Sequence, residues 1–346
     1  MKGAIISFSQ KGFLLSARVE AVLAERGYEV QRAVKCRALA HSIEEPLSEW
    51  TGRNFAVQDV LIFVGAASIA VRAIAPYLRS KAEDPAVLVM DELGKHCIPI
   101  LSGHMGGANE LAVFLGRYLM ADPVITTATD LNEKWAVDVF AVKNQLHMED
   151  LKKAKSISAR LLAGEEILLA AEEDCTVEGE IPPEVKICTV CELKNSPDIL
   201  VGVHRYSRWK DALYLVPRKV VLGMGCRKGT EVSKIREAAK HLLCQNGISE
   251  SAVAAVASID LKAGEEGLLT YCRQEGLEFQ VYSAGELKQA EGIFSSSEFV
   301  ARSVGVDNVC ERSAVLASGG RLIAGKQARD GVTAAAAVAD WRVIFE

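Results

Sequence analysis

The chain has 346 residues, 49% of them hydrophobic and 25% charged, and a formal net charge of −5. That length exceeds one ordinary hydrophobic core, so more than one domain is expected. The mild negative charge offers no general attraction to nucleic acid or to an anionic membrane, and no apolar run approaches the roughly 20 residues of a membrane span.

Residues 1–8 turn polar too soon for a secretion signal and read as a buried first strand. The nine cysteines are an odd, scattered set and read as the reduced thiols of a cytoplasmic protein. Apolar runs then alternate with helical patterns along most of the chain, which predicts α/β architecture. Over 1–130, strands are expected at 2–7, 29–34, 59–64, 86–90, 96–101 and 124–127. Helices are expected at 12–26, 69–78 and 108–120, the first of them ended by Gly27. This is the pattern of a doubly wound, Rossmann-like N-terminal domain, whose ligands lie at strand C-termini. The loop 102–110 is expected at such an end.

Over 131–217 the texture changes to a small α+β middle region. An amphipathic, Lys-rich helix is expected at 148–163 and strands at 166–170, 186–190, 199–203 and 212–216. A C-terminal α/β domain is expected over 218–346. Its strands are placed at 219–222, 252–258, 278–282, 321–325 and 332–337. Its helices are placed at 231–246, 266–275, 298–304 and 311–317.

The most pointed stretch is Ser102-Gly103-His104-Met105-Gly106-Gly107-Ala108-Asn109-Glu110, set between an apolar strand and a helix. Its glycines allow positive φ and close approach of a ligand to the backbone, and the helix presents unpaired N–H groups. A plain strand–helix turn is the alternative. Gly223-x-Gly225-x-x-x-Gly229 has neither dinucleotide-fingerprint nor Walker spacing. It does set Arg227 and Lys228 beside a helix start, which suits a carboxylate or phosphate, or else forms a tight turn with solvated cations. Ser258-Ile259-Asp260-Leu261-Lys262-Ala263-Gly264-Glu265 sits at a similar junction and reads as a polar site or as an N-cap. Asp91-Glu92 reads as turn acids. Cys188-x-x-Cys191 lacks a second pair or a suitably spaced His, so no metal site is expected. No GxSxG elbow occurs. The other histidines are isolated, and the aromatics do not cluster with basic residues.

Several segments together closely resemble the cobalt-precorrin-5A hydrolase family of anaerobic cobalamin biosynthesis. They are Gly65 through Pro76, Asp84-Pro85-Ala86-Val87, Ser102 through Leu111, Thr126-Thr127-Ala128-Thr129-Asp130, Gly223 through Thr230, Ala257 through Glu265, and Lys326. The resemblance is strong over 59–130 and 219–340 and weak elsewhere. It implies an enzyme that opens the δ-lactone of a cobalt-corrinoid and expels acetaldehyde, giving cobalt-precorrin-5B. Cobalt then arrives in the substrate, and no intrinsic cofactor is expected. On this reading His104 is the base, the Gly106 and Gly107 amides with Asn109 are oxyanion donors, and Glu110 orients His104 or acts as acid. Ser102, Gly103, Arg72, Gly225, Arg227, Lys228, Ser258, Lys262 and Glu265 are the candidates for holding substrate, its carboxylates on the cations. The substrate is expected between the first and last domains, in one chain or across a homodimer. A corrinoid carrier without turnover and a nucleotide-dependent enzyme are the competing readings.

Overall fold

The computed structural model describes residues 1–80, 83–296 and 305–345; the expected helix at 298–304 lies outside them. The chain divides into two compact units, 1–134 and 135–346. The expected middle and C-terminal parts therefore lie in one unit, each with its own five-stranded sheet.

In the first unit the strands are β1 (Lys2–Ser7), β2 (Glu29–Val34), β3 (Val60–Val64), β4 (Ala86–Met90), β5 (His96–Leu101) and β6 (Asp122–Pro123). Their order in the sheet is β2-β1-β3-β4-β5-β6. Every residue of β3 and β4 is buried, as continuous apolar runs require when helices cover both faces. Helices α1 (Gln10–Glu25) and α4 (Ala108–Leu119) cover one face, through Leu15, Val19, Leu23, Leu111 and Leu115 against Ile5, Ile62 and Leu88. Helices α2 (Leu47–Phe55), which the periodicity did not reveal, and α3 (Ala67–Ile74) cover the other. The Ser9 hydroxyl accepts from the Gly12 N–H, so α1 starts earlier than its apolar pattern does. Pro76 stops α3 short of the expected residue 78, in a single 3-10 turn.

Strands β1, β2, β3 and β4 are parallel, but β5 runs antiparallel to β4, with Val87 opposite Leu101 and Met90 opposite Cys97. The loop after β5 therefore lies where the parallel strands begin, not at their C-terminal ends. The connection 91–95 between β4 and β5 is a hairpin turn, too short for a parallel crossover. No strand forms at the expected 124–127: the two-residue β6 ends just before it, and the chain then enters a short helix, α5 (Ala128–Leu131).

The second unit opens with α6 (Val137–Lys143), β7 (Leu146–Met148), α7 (Leu151–Leu162), β8 (Ile167–Ala171), β9 (Cys175–Gly179) and β10 (Val185–Thr189). Strands β11 (Ile199–Val201) and β12 (Leu213–Pro217) complete a sheet ordered β10-β8-β11-β12-β7, parallel except for β7. The α+β texture expected here thus resolves into a mostly parallel sheet. The second sheet of the unit contains β13 (Val220–Cys226), β14 (Val253–Ile259), β15 (Glu278–Tyr282), β16 (Arg321–Arg329) and β17 (Val332–Val338), ordered β15-β14-β13-β17-β16. Helices α8 (Val232–Gln245), α9 (Glu266–Glu275), α10 (Ala284–Gln289) and α11 (Cys310–Ser318) accompany it. The last strand, β18 (Trp341–Phe345), returns to pair in parallel with β9. One apolar core runs through the unit from Val137 to Phe345. Among the described residues no helix is long and apolar enough to cross a membrane.

Candidate active site

The loop 102–107 closes on itself before α4 begins. Ser102 adopts φ 54° and Gly107 φ 76°, both in the left-handed region. The Gly107 N–H donates to the His104 carbonyl at 2.9 Å, Ala108 N–H to Ser102 at 3.2 Å, and Asn109 N–H to Gly103 at 2.9 Å. The loop thus caps the helix with its own carbonyls. A Cβ at Gly106 would lie 2.5 Å from Ser102 Cβ, and one at Gly103 2.7 Å from Asn109 Oδ1, so both positions need glycine for packing. The Ser102 hydroxyl donates to the Asp84 carbonyl at 2.9 Å and anchors the loop below β4.

This architecture holds His104 against α5. His104 Nε2 lies 2.7 Å from Asp130 Oδ2 and 3.2 Å from Thr129 Oγ1. The imidazole is 12% exposed and the carboxylate 41%, so the pair is screened from water on one side and open on the other. An ionised carboxylate only accepts, so it selects the tautomer protonated at Nε2 and makes Nδ1 the basic nitrogen. Asn109 is buried and donates its amide to Thr127 Oγ1 at 2.8 Å and to Asp130 Oδ2 at 3.0 Å. One carboxylate oxygen is therefore held by both His104 and Asn109, which fixes the Asp130 rotamer.

Two expected roles in this loop do not match the geometry. Glu110 points away from His104 and pairs with Arg26, because the first turn of α4 faces the end of α1. The Asn109 amide and the Gly107 N–H are both engaged inside the loop rather than presented to a ligand. Asp130 and Thr129 are the groups that meet His104, and Thr127 and Asp130 those that meet Asn109. Their stretch was among the segments carrying the family resemblance, but nothing in its spacing reveals which His it meets.

In the second unit, the two expected loops do come together at the C-terminal ends of β13 and β14. Glu265 Oε1 accepts from the Gly229 N–H at 2.7 Å, and Lys262 Nζ donates to Glu265 Oε2 at 3.0 Å. Gly229 has φ 72°, which a side chain would strain. Lys262 and Glu265 therefore neutralise each other and clamp the turn. Ser258 is fully buried and spends its hydroxyl on the Met224 carbonyl at 2.6 Å, so it joins strands rather than reaching a ligand. Gly225 is held across the sheet by Thr333, whose hydroxyl donates to its carbonyl at 3.3 Å. Gly223 serves packing: α11 lies directly over it. Arg227 and Lys228 stay exposed, and among the described residues neither has an acidic partner. The same holds for Arg72, exposed on α3 of the first unit. Burial raises the Cys226 thiol, with Lys262 opposing, and the side chain packs against the core.

Burial also raises the Glu265 carboxyl, but Lys262 and the Gly229 and Thr230 N–H groups outweigh it, and its pKa falls below the ordinary 4.5. A carboxylate depressed in the folded state contributes stability above its unfolded pKa and loses it as pH falls through the folded value. The melting-temperature gap between wild type and Glu265→Gln is therefore expected to be full at neutral pH and to shrink on acidification below about 4.5. A gap that is independent of pH, measured by calorimetry, would contradict the clamp.

Among the described residues no group of three or more His, Cys, Asp or Glu could hold a metal ion. All nine cysteines are unpaired, Cys188 and Cys191 included.

Two family models match the chain: "Cobalamin synthesis G N-terminal" over residues 49–130 and "Cobalamin synthesis G C-terminus" over 220–337. The chain is 37% identical to a cobalt-precorrin-5A hydrolase of Salmonella typhimurium over 82% of its own length and 83% of that protein. It is 35% identical to a cobalt-precorrin-5A hydrolase of Priestia megaterium, over 75% of its length and 72% of that protein. A crystal structure of a cobalamin biosynthesis protein G homologue from Sulfolobus solfataricus aligns over 97% of both chains, at 23% identity and a TM-score of 0.42.

Proposed function

The chain belongs to the cobalamin synthesis G family, and we propose that His104 and Asp130 carry its chemistry, the hydrolysis of cobalt-precorrin-5A. The reaction opens the δ-lactone of this cobalt-corrinoid, releases acetaldehyde and leaves cobalt-precorrin-5B. Cobalt enters with the substrate, and the protein works in the cytoplasm. The observation that supports the residue roles is the 2.7 Å contact between His104 Nε2 and Asp130.

In this reading His104 takes a proton from water as the oxygen attacks the lactone carbonyl, and the imidazolium so formed is stabilised by Asp130. Among the described residues the exposed Gly106 amide has no hydrogen-bond partner, and it is the proposed donor to the tetrahedral oxyanion. Collapse expels the ring alkoxide, which takes the proton back from His104. The freed hydroxyl then loses its proton to the regenerated base, the adjacent C–C bond breaks, and acetaldehyde leaves while the conjugated macrocycle accepts the electron pair. Arg72, on α3 of the unit that holds His104, is proposed to meet a peripheral carboxylate of the substrate.

Asp130 acts through His104 and is a positioning residue. Asp130→Asn is expected to lower kcat by about 100-fold or more, with KM within a few-fold, and to shift the pH–rate profile by destabilising the imidazolium. Glu110→Gln, which removes the charge paired with Arg26, should leave kcat within a few-fold. The assay is anaerobic incubation with cobalt-precorrin-5A, trapping acetaldehyde and recording the corrinoid mass. Loss of rate in Glu110→Gln but not in Asp130→Asn would reverse the assignment. Bound corrinoid without aldehyde from the wild type would make the chain a carrier.

A further inference from the structure

We propose that the second unit by itself binds a corrinoid with His204 as an axial ligand to its cobalt, a site that rests on the corrinoid reading above. The sheet order puts β8 beside β11, while the chain leaves β8 toward β10 on one side and returns to β11 on the other. The C-terminal ends of β8 and β11 therefore flank a topological switch point, where parallel sheets open a crevice. Glu172 follows β8 at this point and His204 follows β11.

Glu172 is only 3% exposed. Its carboxylate accepts from the backbone N–H of Val203 at 3.0 Å and of His204 at 2.8 Å, from His204 Nδ1 at 3.0 Å, and from the Tyr206 hydroxyl at 3.4 Å. Gly202 makes room for it, since a Cβ there would lie 2.3 Å from Glu172 Cδ. Burial, followed by the nearby Glu172 and Glu173, pushes the Tyr206 hydroxyl well above its ordinary value, so it stays a donor.

A buried carboxylate on Nδ1 fixes that nitrogen as the protonated one and leaves the lone pair on Nε2. Among the described residues Nε2 has no hydrogen-bond partner, and the side chain is 25% exposed. Metal-ligating histidines are oriented in this way: the carboxylate sets the tautomer and makes the outer nitrogen a better donor. One histidine cannot hold a bare ion, and among the described residues no cluster of three or more ligating side chains surrounds it. A cobalt already held in plane by its corrin ring needs only one axial nitrogen from the protein. Arg208, exposed and stacked on Trp209 at 3.9 Å, has no acidic partner among the described residues and is placed to meet a carboxylate at the ring's edge. Ligation donates the Nε2 lone pair to cobalt, with no change in oxidation state and no proton released.

The test uses the full chain, held anaerobically with cob(II)inamide, a corrinoid that carries no nitrogenous base of its own. Electron paramagnetic resonance of the bound complex should show each cobalt line split into a triplet by one nitrogen-14 nucleus. Labelling histidine with nitrogen-15 should convert the triplets to doublets, and His204→Ala should abolish the splitting. Bound corrinoid with unsplit lines, or splitting that survives in His204→Ala, overturns the ligand. If the same preparation still releases acetaldehyde from cobalt-precorrin-5A, the hydrolase reading stands without it. A wild type that neither binds cob(II)inamide nor releases aldehyde brings down both.

Discussion

His104→Ala is expected to lower kcat for acetaldehyde release by about 1,000-fold while substrate affinity stays within a few-fold. The separation follows from where the side chain stands. Its ring contacts Asp130 and Thr129, whereas the substrate's carboxylate is assigned to Arg72. Removing the base therefore acts on the transition state and little on ground-state binding. His104→Gln keeps an amide that can donate to Asp130 but supplies no base, so it should be nearly as slow as alanine while melting close to wild type. A rate that survives both substitutions would mean that another group activates water. A KM raised as far as kcat falls would make His104 a binding residue.

Gly223→Ala is expected to cost about 3 kcal/mol or more of stability, or to prevent the second unit from folding. A Cβ at this position would lie 1.7 Å from the Cys310 carbonyl and 2.9 Å from the Ala314 amide nitrogen. Both are backbone atoms of α11, so no side chain can rotate away; the helix must lift from β13. That movement would also disturb Glu311, whose buried carboxylate accepts from the Ser295 and Lys326 N–H groups and from the Asn308 amide. Thermal or denaturant unfolding of the variant checks this directly. A wild-type melting temperature would show that α11 is not held where the close packing puts it. The same geometry revises one reading of the glycine motif: Gly223 makes room for a helix, whereas Gly229 supplies a turn.

Glu110 was an attractive partner for His104 because both belong to one polar loop. Yet α4 turns successive side chains by roughly 100°, so proximity in sequence did not become proximity in space. Asp130 lies 26 residues from His104 and contacts it only because β5, α4, β6 and α5 fold the chain back. Strand direction was the other gap. Alternating apolar runs locate strands, and those of the first unit sit close to expectation, but periodicity carries no sign. The brevity of 91–95 was the available clue that β5 reverses.

The amino-acid sequence by itself determined the α/β class, most strand and helix positions, the family and the reaction, because hydrophobic period, caps and motif residues are local properties of the chain. Tertiary structure alone decided which end of the sheet carries the His104 loop and which carboxylate meets the imidazole. It also decided that Ser258, Lys262 and Glu265 hold the protein together, and that Glu172 meets His204. These depend on strand direction, register and packing between distant segments, for which a buried carboxylate or a missing Cβ has meaning only once its neighbours are in place.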